Sequence, residues 1–120
     1  MKKLQMLRNT RQFRQVYDQG QRFHSSLFSA FFIKTETIER RIGITVTRKI
    51  GNAVVRNRCK RRLREVLRKY FDESESPYGF DLVINAKPAL IEADFQQIAE
   101  GVAKTIGRFG ESLLKGSKSL

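Results

Sequence analysis

Apolar residues recur along this chain with two different periods, and each change of period marks a new element. Phe13, Val16 and Tyr17 stand three and four apart, which predicts a short helix with Thr10 as its cap and Gly20 ending it in the left-handed conformation. Residues 22–34, RFHSSLFSAFFIK, read as strand, a break near Ser25–Ser26, then strand. Strict alternation fails at Phe31, Phe32 and Ile33, so in a central strand one aromatic must point away from the main core. After the turn TETIER, the segment Arg41–Arg48 places Ile42, Ile44 and Val46 in alternation, the mark of a strand with one buried face. From Ala53 the period becomes helical. Val55, Cys59, Leu63, Val66, Leu67 and Tyr70 fill one sector, and Asn57, Arg58, Lys60, Arg61, Arg62, Arg64 and Arg68 fill the rest. Asn52 is placed to cap this helix. Asp72–Gly79 reads as an acidic turn, Phe80–Ala86 as a fourth strand ended by Lys87–Pro88, and Ala93–Phe109 as a last helix. Its apolar stripe comprises Phe95, Ile98, Ala99, Val102, Ala103 and Ile106, with Gly101 inside it.

The expected order is therefore α-β-β-β-α-β-α, an α+β fold with the basic helix crossing between two strands. With 120 residues, 40% of them hydrophobic, the chain is long enough for one domain with one core. Residues 1–9 form a basic arm carrying Lys2, Lys3 and Arg8, and residues 111–120 a polar tail; both are expected to be flexible. The start of the chain has no apolar run of signal-peptide type, and no stretch approaches 18 apolar residues, so neither export nor a membrane span is expected. A single cysteine rules out an internal disulfide and fits the cytoplasm.

Charge sharpens the picture. Of a net +12, the stretch Arg48–Lys69 holds ten bases and one acid, a net +9. Like charges this dense repel by a few tenths of a kcal/mol per neighbouring pair on a helix. A folded domain that tolerates this cost meets a polyanion, which offsets it through phosphate contacts and counterion release. Nucleic acid is the first candidate, an anionic membrane the second, and a merely solvated helix face the bland alternative.

No residue set has the makings of a protein catalytic site. His24 is the one histidine, near a strand end, and Cys59 falls in the apolar sector of its helix. One Cys and one His cannot build a conventional zinc site, the acids show no metal-ligand spacing, and GNAVVRNR has only the opening glycine of a phosphate-binding loop. If this chain takes part in catalysis, its partner supplies the catalyst.

The run Arg48-Lys49-Ile50-Gly51-Asn52-Ala53-Val54-Val55-Arg56-Asn57-Arg58-Cys59-Lys60-Arg61 resembles the signature of the protein subunit family of bacterial ribonuclease P. The hallmark is Arg-Asn-Arg followed one residue later by Lys-Arg. Phe13 and Tyr17 in the first helix, the strand before the motif and Lys87-Pro88-Ala89 before the last helix extend the likeness over nearly the whole chain. The resemblance implies an α-β sandwich with a four-stranded mixed sheet and a left-handed crossover through the basic helix. It also implies a holoenzyme in which a large catalytic RNA, with its bound Mg2+, removes the 5′ leader of precursor tRNA. In that family the protein binds no cofactor for the chemistry, and no protein oligomer is implied. Carried over by position, the residues contacting the large RNA are Arg48, Lys49, Asn52, Arg56, Asn57, Arg58, Lys60, Arg61 and Arg64. Those lining a cleft for the single-stranded leader are Phe13, Tyr17 and Phe31.

Periodicity alone reads Phe13 and Tyr17 as core, whereas the resemblance turns them toward a ligand. Charge alone fits a free-standing RNA-binding module of ribosomal-protein type equally well. A duplex-DNA reader fits less well, because ten bases with so few amide side chains suit phosphate binding better than base readout.

Overall fold

The computed structural model describes the backbone of residues 4–73 and 79–118, and the side chains of 4–71 and 79–110. The elements follow the order β1 (Leu4–Met6), α1 (Thr10–Gln19), β2 (Gln21–His24), β3 (Phe28–Thr35), β4 (Arg40–Thr45), α2 (Ala53–Glu73), β5 (Gly79–Ala86), a 3-10 turn (Pro88–Leu90) and α3 (Phe95–Lys118). One mixed sheet runs β1-β4-β5-β3-β2. The β4–β5 pair is parallel and joined through α2, as the family resemblance implies, whereas β3 pairs antiparallel with both β2 and β5.

Three helices cover the two faces of this sheet unequally. Beneath it, α2 contributes Cys59, Leu63, Val66, Leu67 and Phe71, and α3 contributes Ile98, Val102 and Phe109. They pack on Phe28, Ala30 and Phe32 of β3, Ile42 of β4, and Phe80, Leu82 and Ile84 of β5. Phe109 stacks on Phe32 with ring centroids 4.5 Å apart, which ties the body of α3 to β3. Above the sheet only α1 packs, over a smaller cluster of Leu7, Val16 and Val83 with Phe13, Phe31 and Ile33 at its margin. Alternation along β3 thus sends Phe32 down and Phe31 up, and the broken apolar pattern at 31–33 reflects a strand buried on both faces.

Several details differ from the sequence reading. The sheet has five strands, not four, because Leu4–Met6 of the expected basic arm pairs in parallel with Arg40–Ile42. Three residues are too few to show a period, so only the long-range pairing reveals them. Asn9, rather than Thr10, caps α1: its side chain accepts from the Gln12 N–H at 2.9 Å, and the Gln12 side chain accepts in return from the Asn9 N–H. Gly20 is extended (φ −80°, ψ 162°) rather than left-handed. Glycine is needed there because a Cβ would lie 2.5 Å from the Val16 carbonyl oxygen and 2.9 Å from that of Phe32. Asn52 does cap α2, accepting from the Val55 N–H at 3.0 Å. That helix runs on through Tyr70 and buried Phe71 to Glu73, into the segment read as an acidic turn; residues 74–78 of that turn lie outside the described residues. On α3 the buried stripe is Ile98, Val102, Thr105 and Phe109, while Phe95 and Ala103 are exposed, and the helix continues to Lys118.

Candidate nucleic-acid interface

The basic helix turns its charges outward for the reason its periodicity suggests. With Cys59, Leu63, Val66 and Leu67 held against the sheet, the intervening positions must face solvent. Val54, Asn57, Arg58, Lys60, Arg61 and Arg64 line one open hollow of about 520 Å³ along the outer side of α2. Among the described residues, none of Asn57, Arg58, Lys60 and Arg61 has a hydrogen-bonded or ionic partner, so their donors remain for a ligand. Arg48 and Lys49 are exposed on the turn before α2. That turn is closed by Ile50 N–H to the Thr47 carbonyl (3.0 Å) and anchored by the buried Ile50 side chain.

Two arginines of the stretch have structural duties instead. Arg56 is half-buried and donates to the Gly51 carbonyl at 2.8 Å, bracing the turn that presents Arg48 and Lys49. Arg62, outside the carried-over set, donates to the Ala93 carbonyl and links α2 to the start of α3. Arg64 is intermediate: its Nε is buried without a partner among the described residues, yet the residue lines the hollow. Cys59 lies buried beneath this face. Burial pushes its thiol up in pKa, against the opposing pull of Arg62 and Arg58, which suits an inert packing group.

Above the sheet, Phe13, Tyr17 and Phe31 come together in three different situations. Phe13 lies over β4, filling the space a side chain at Gly43 would take: a Cβ there would fall 2.5 Å from the Phe13 ring. Phe31 contacts Tyr17 edge-on, with centroids 4.8 Å apart and planes at 84°, and carries the Arg22 guanidinium 5.5 Å from its own centroid. Tyr17 is 36% exposed, and its hydroxyl donates to Asn85 Oδ1 at 2.9 Å. Of the three rings, Tyr17 therefore offers the open stacking surface, with Phe13 and Phe31 supporting it. The reading of Phe13 and Tyr17 as core from periodicity fails for Tyr17, while Phe13 is partly buried at the margin of the small cluster around Val16. Gly43→Ala should push Phe13 off its seat and cost about 1–3 kcal/mol of stability, the usual penalty for overpacking. Denaturant unfolding checks this, and adding Phe13→Ala should recover part of the loss.

The sequence reading did not single out Arg22, Arg41, Asp81 or Asn85. Asp81 is buried and takes a two-pronged bond from Arg41, Nε to Oδ1 and one terminal nitrogen to Oδ2, both 2.7 Å. This pair raises the Arg41 pKa, chiefly through the hydrogen bond, and clamps β4 to β5 beside the cleft. The available signal was period two: Asp81, Val83 and Asn85 alternate with apolar neighbours, so the two polar residues share the upper face with Val83.

The turn before α2 lies near the aromatic cluster. Thr45 is the cross-strand partner of Asn85, and the turn bearing Arg48 begins two residues later, within about 7 Å along the chain. The aromatic cluster thus comes near the turn bearing Arg48 and Lys49 at the C-terminal ends of the parallel strands, while the outer face of α2 looks away from the opposite face of the sheet. A second hollow of about 520 Å³ lies between the β2–β3 turn and α3, lined by Ser25 and Lys104 among others, and includes none of the residues expected at the interface.

Known proteins share this fold. The RNase P protein of Thermotoga maritima superposes with a TM-score of 0.76 at 30% identity, over 87% of this chain and 96% of that one. The RNase P protein of Staphylococcus aureus, at 24% identity, shows the same fold with a TM-score of 0.74 over 85% of this chain and 92% of its own. In sequence, the ribonuclease P protein component of a Nitratiruptor species is 41% identical over 108 residues, 90% of this chain and 94% of the relative. That of Clostridioides difficile is 31% identical over 85% and 89%. The family model described as Ribonuclease P matches residues 1–110, so the first strand, the aromatic cleft, the basic helix and the sheet all fall within one match. The chain belongs to the ribonuclease P protein family.

Proposed function

We propose that the chain is the protein subunit of a ribonucleoprotein that removes the 5′ leader of precursor tRNA. The observation that carries this reading is the presence, on the two faces of one domain, of two surfaces of different chemistry. The outer face of α2, with Arg58, Lys60 and Arg61 unpaired among the described residues, suits the phosphate backbone of a large structured RNA. The Tyr17 cleft, with its exposed ring and neighbouring Arg22, suits an unpaired strand. A substrate joined to a folded RNA body and ending in a single-stranded leader offers both at once.

The protein's part is to bind, orient and screen charge, and the RNA with its Mg2+ carries the hydrolysis. Among the described residues no group of three or more His, Cys, Asp or Glu side chains is placed to hold a metal ion. No helix among the described residues is long and apolar enough to cross a membrane, and the buried free thiol of Cys59 suits action in the reducing cytoplasm.

Reconstitution tests this directly. The full chain mixed with a ribonuclease P RNA at low magnesium should cleave precursor tRNA at the mature 5′ end more efficiently than the RNA alone. The chain by itself, freed of RNA, should leave precursor tRNA intact. Cleavage by the isolated protein that a point mutation abolishes would overturn the division of labour.

A further inference from the structure

A row of polar side chains crosses the upper face of the sheet beside the aromatic cleft. The cross-strand registers set His24 opposite Ser29, Ser29 opposite Asn85, and Asn85 opposite Thr45. The next row up contains Arg22, Phe31, Val83 and Gly43, the floor on which Phe13 and Tyr17 rest. His24 Nδ1 and Ser29 Oγ are 3.0 Å apart and satisfy each other. Asn85 differs from them. Its Oδ1 accepts from Tyr17, 68 residues away in sequence, while its Nδ2 has no partner among the described residues. A half-exposed amide so held presents two N–H donors next to the most exposed ring of the cleft.

Resting on the leader-cleft reading above, we propose that Asn85 is a base-specificity residue: it donates from Nδ2 to the edge of the leader base that stacks on Tyr17. With the Tyr17 hydroxyl donating to Oδ1, as in this structure, Nδ2 is the end of the amide left for the base. Aimed at the central position of the pairing edge, an Nδ2 donor meets an acceptor in adenine (N1) and cytosine (N3) and an N–H in guanine and uracil, whose carbonyl acceptors lie to the side and require the base to shift. The cleft therefore favours A and C over G and U at one leader position, in addition to the sequence-tolerant stacking that Tyr17 provides.

The test uses holoenzyme reconstituted from the full chain and a ribonuclease P RNA, with precursor tRNAs carrying each base in turn at each leader position. The dissociation constant and kcat/KM of wild type should show A and C favoured over G and U by about five- to tenfold at one position, the lower range for a good base contact. Asn85→Ala should flatten that preference there alone. Asn85→Asp, which presents acceptors in place of donors, should reverse it toward G and U. Tyr17→Phe keeps the ring but frees the amide to turn over, and should weaken the preference while retaining the gain from having a leader. Unfolding midpoints of all variants establish that each is folded. The inference is overturned if wild type shows no such preference at any position, or if the preference survives Asn85→Ala. Failure of the cleft reading looks different: Tyr17→Ala would then leave the gain from a leader unchanged.

Discussion

Replacing Arg58, Lys60 and Arg61 together by alanine should weaken binding of the chain to ribonuclease P RNA by about a hundredfold near 0.15 M salt. Each of these side chains is presented outward from α2 without a partner among the described residues. Removing one phosphate-bound cation takes about one unit from the slope of log affinity against log salt, so the slope of the triple variant should be shallower by about three units. Extrapolated to about 1 M salt, where counterion release contributes almost nothing, the affinities of variant and wild type should converge. Folding should be nearly unaffected, because the helix is held by Cys59, Leu63, Val66 and Leu67 on the other side. Titrations at four or five salt concentrations settle the matter; an unchanged slope would mean that RNA binds elsewhere. Arg56→Ala makes a useful contrast. Its guanidinium braces the Gly51 carbonyl, so its loss should loosen the turn bearing Arg48 and Lys49 and cost some stability as well as affinity.

Tyr17→Ala should discriminate between substrates rather than weaken both. Stacking a base on an aromatic side chain contributes about 1–3 kcal/mol, so the affinity for precursor tRNA should fall about five- to 150-fold. Mature tRNA, which has no leader to stack, should bind the reconstituted holoenzyme as before. Because Tyr17 is 36% exposed, its removal should lower stability far less than the roughly 3–5 kcal/mol typical of a buried aromatic. Measuring unfolding midpoint and both affinities on one preparation separates the outcomes. A large fall in midpoint with equal losses for both RNAs would return Tyr17 to the core and empty the cleft.

Much of this architecture was legible in the residues. The two sectors of α2 were visible as a 3.6-residue period, since one buried stripe forces every intervening base outward. Alternation at Ile42 and Ile44 marked β4, and the failure of alternation at Phe31–Ile33 pointed to a ring on the far face of the sheet, where Phe31 lies. The run Arg48–Arg61 resembles the family's signature, and the family match over residues 1–110 agrees with it.

Other features depended on contacts between distant parts of the chain. Leu4–Met6 becomes a strand only by pairing with Arg40–Ile42, and no three-residue segment carries a period of its own. Whether Tyr17 was core or cleft hinged on how little of the sheet α1 covers, which its own amphipathicity does not encode. The partners of Arg56 and Arg62 were backbone carbonyls, which leave no trace in residue type. Asn85 meets Tyr17 across 68 residues through the register of three strands. Local periodicity reports which positions are buried, because burial acts on each residue's neighbours in its own element. It does not report what they are buried against, and the aromatic cleft on the upper face of the sheet is made of such long-range pairings.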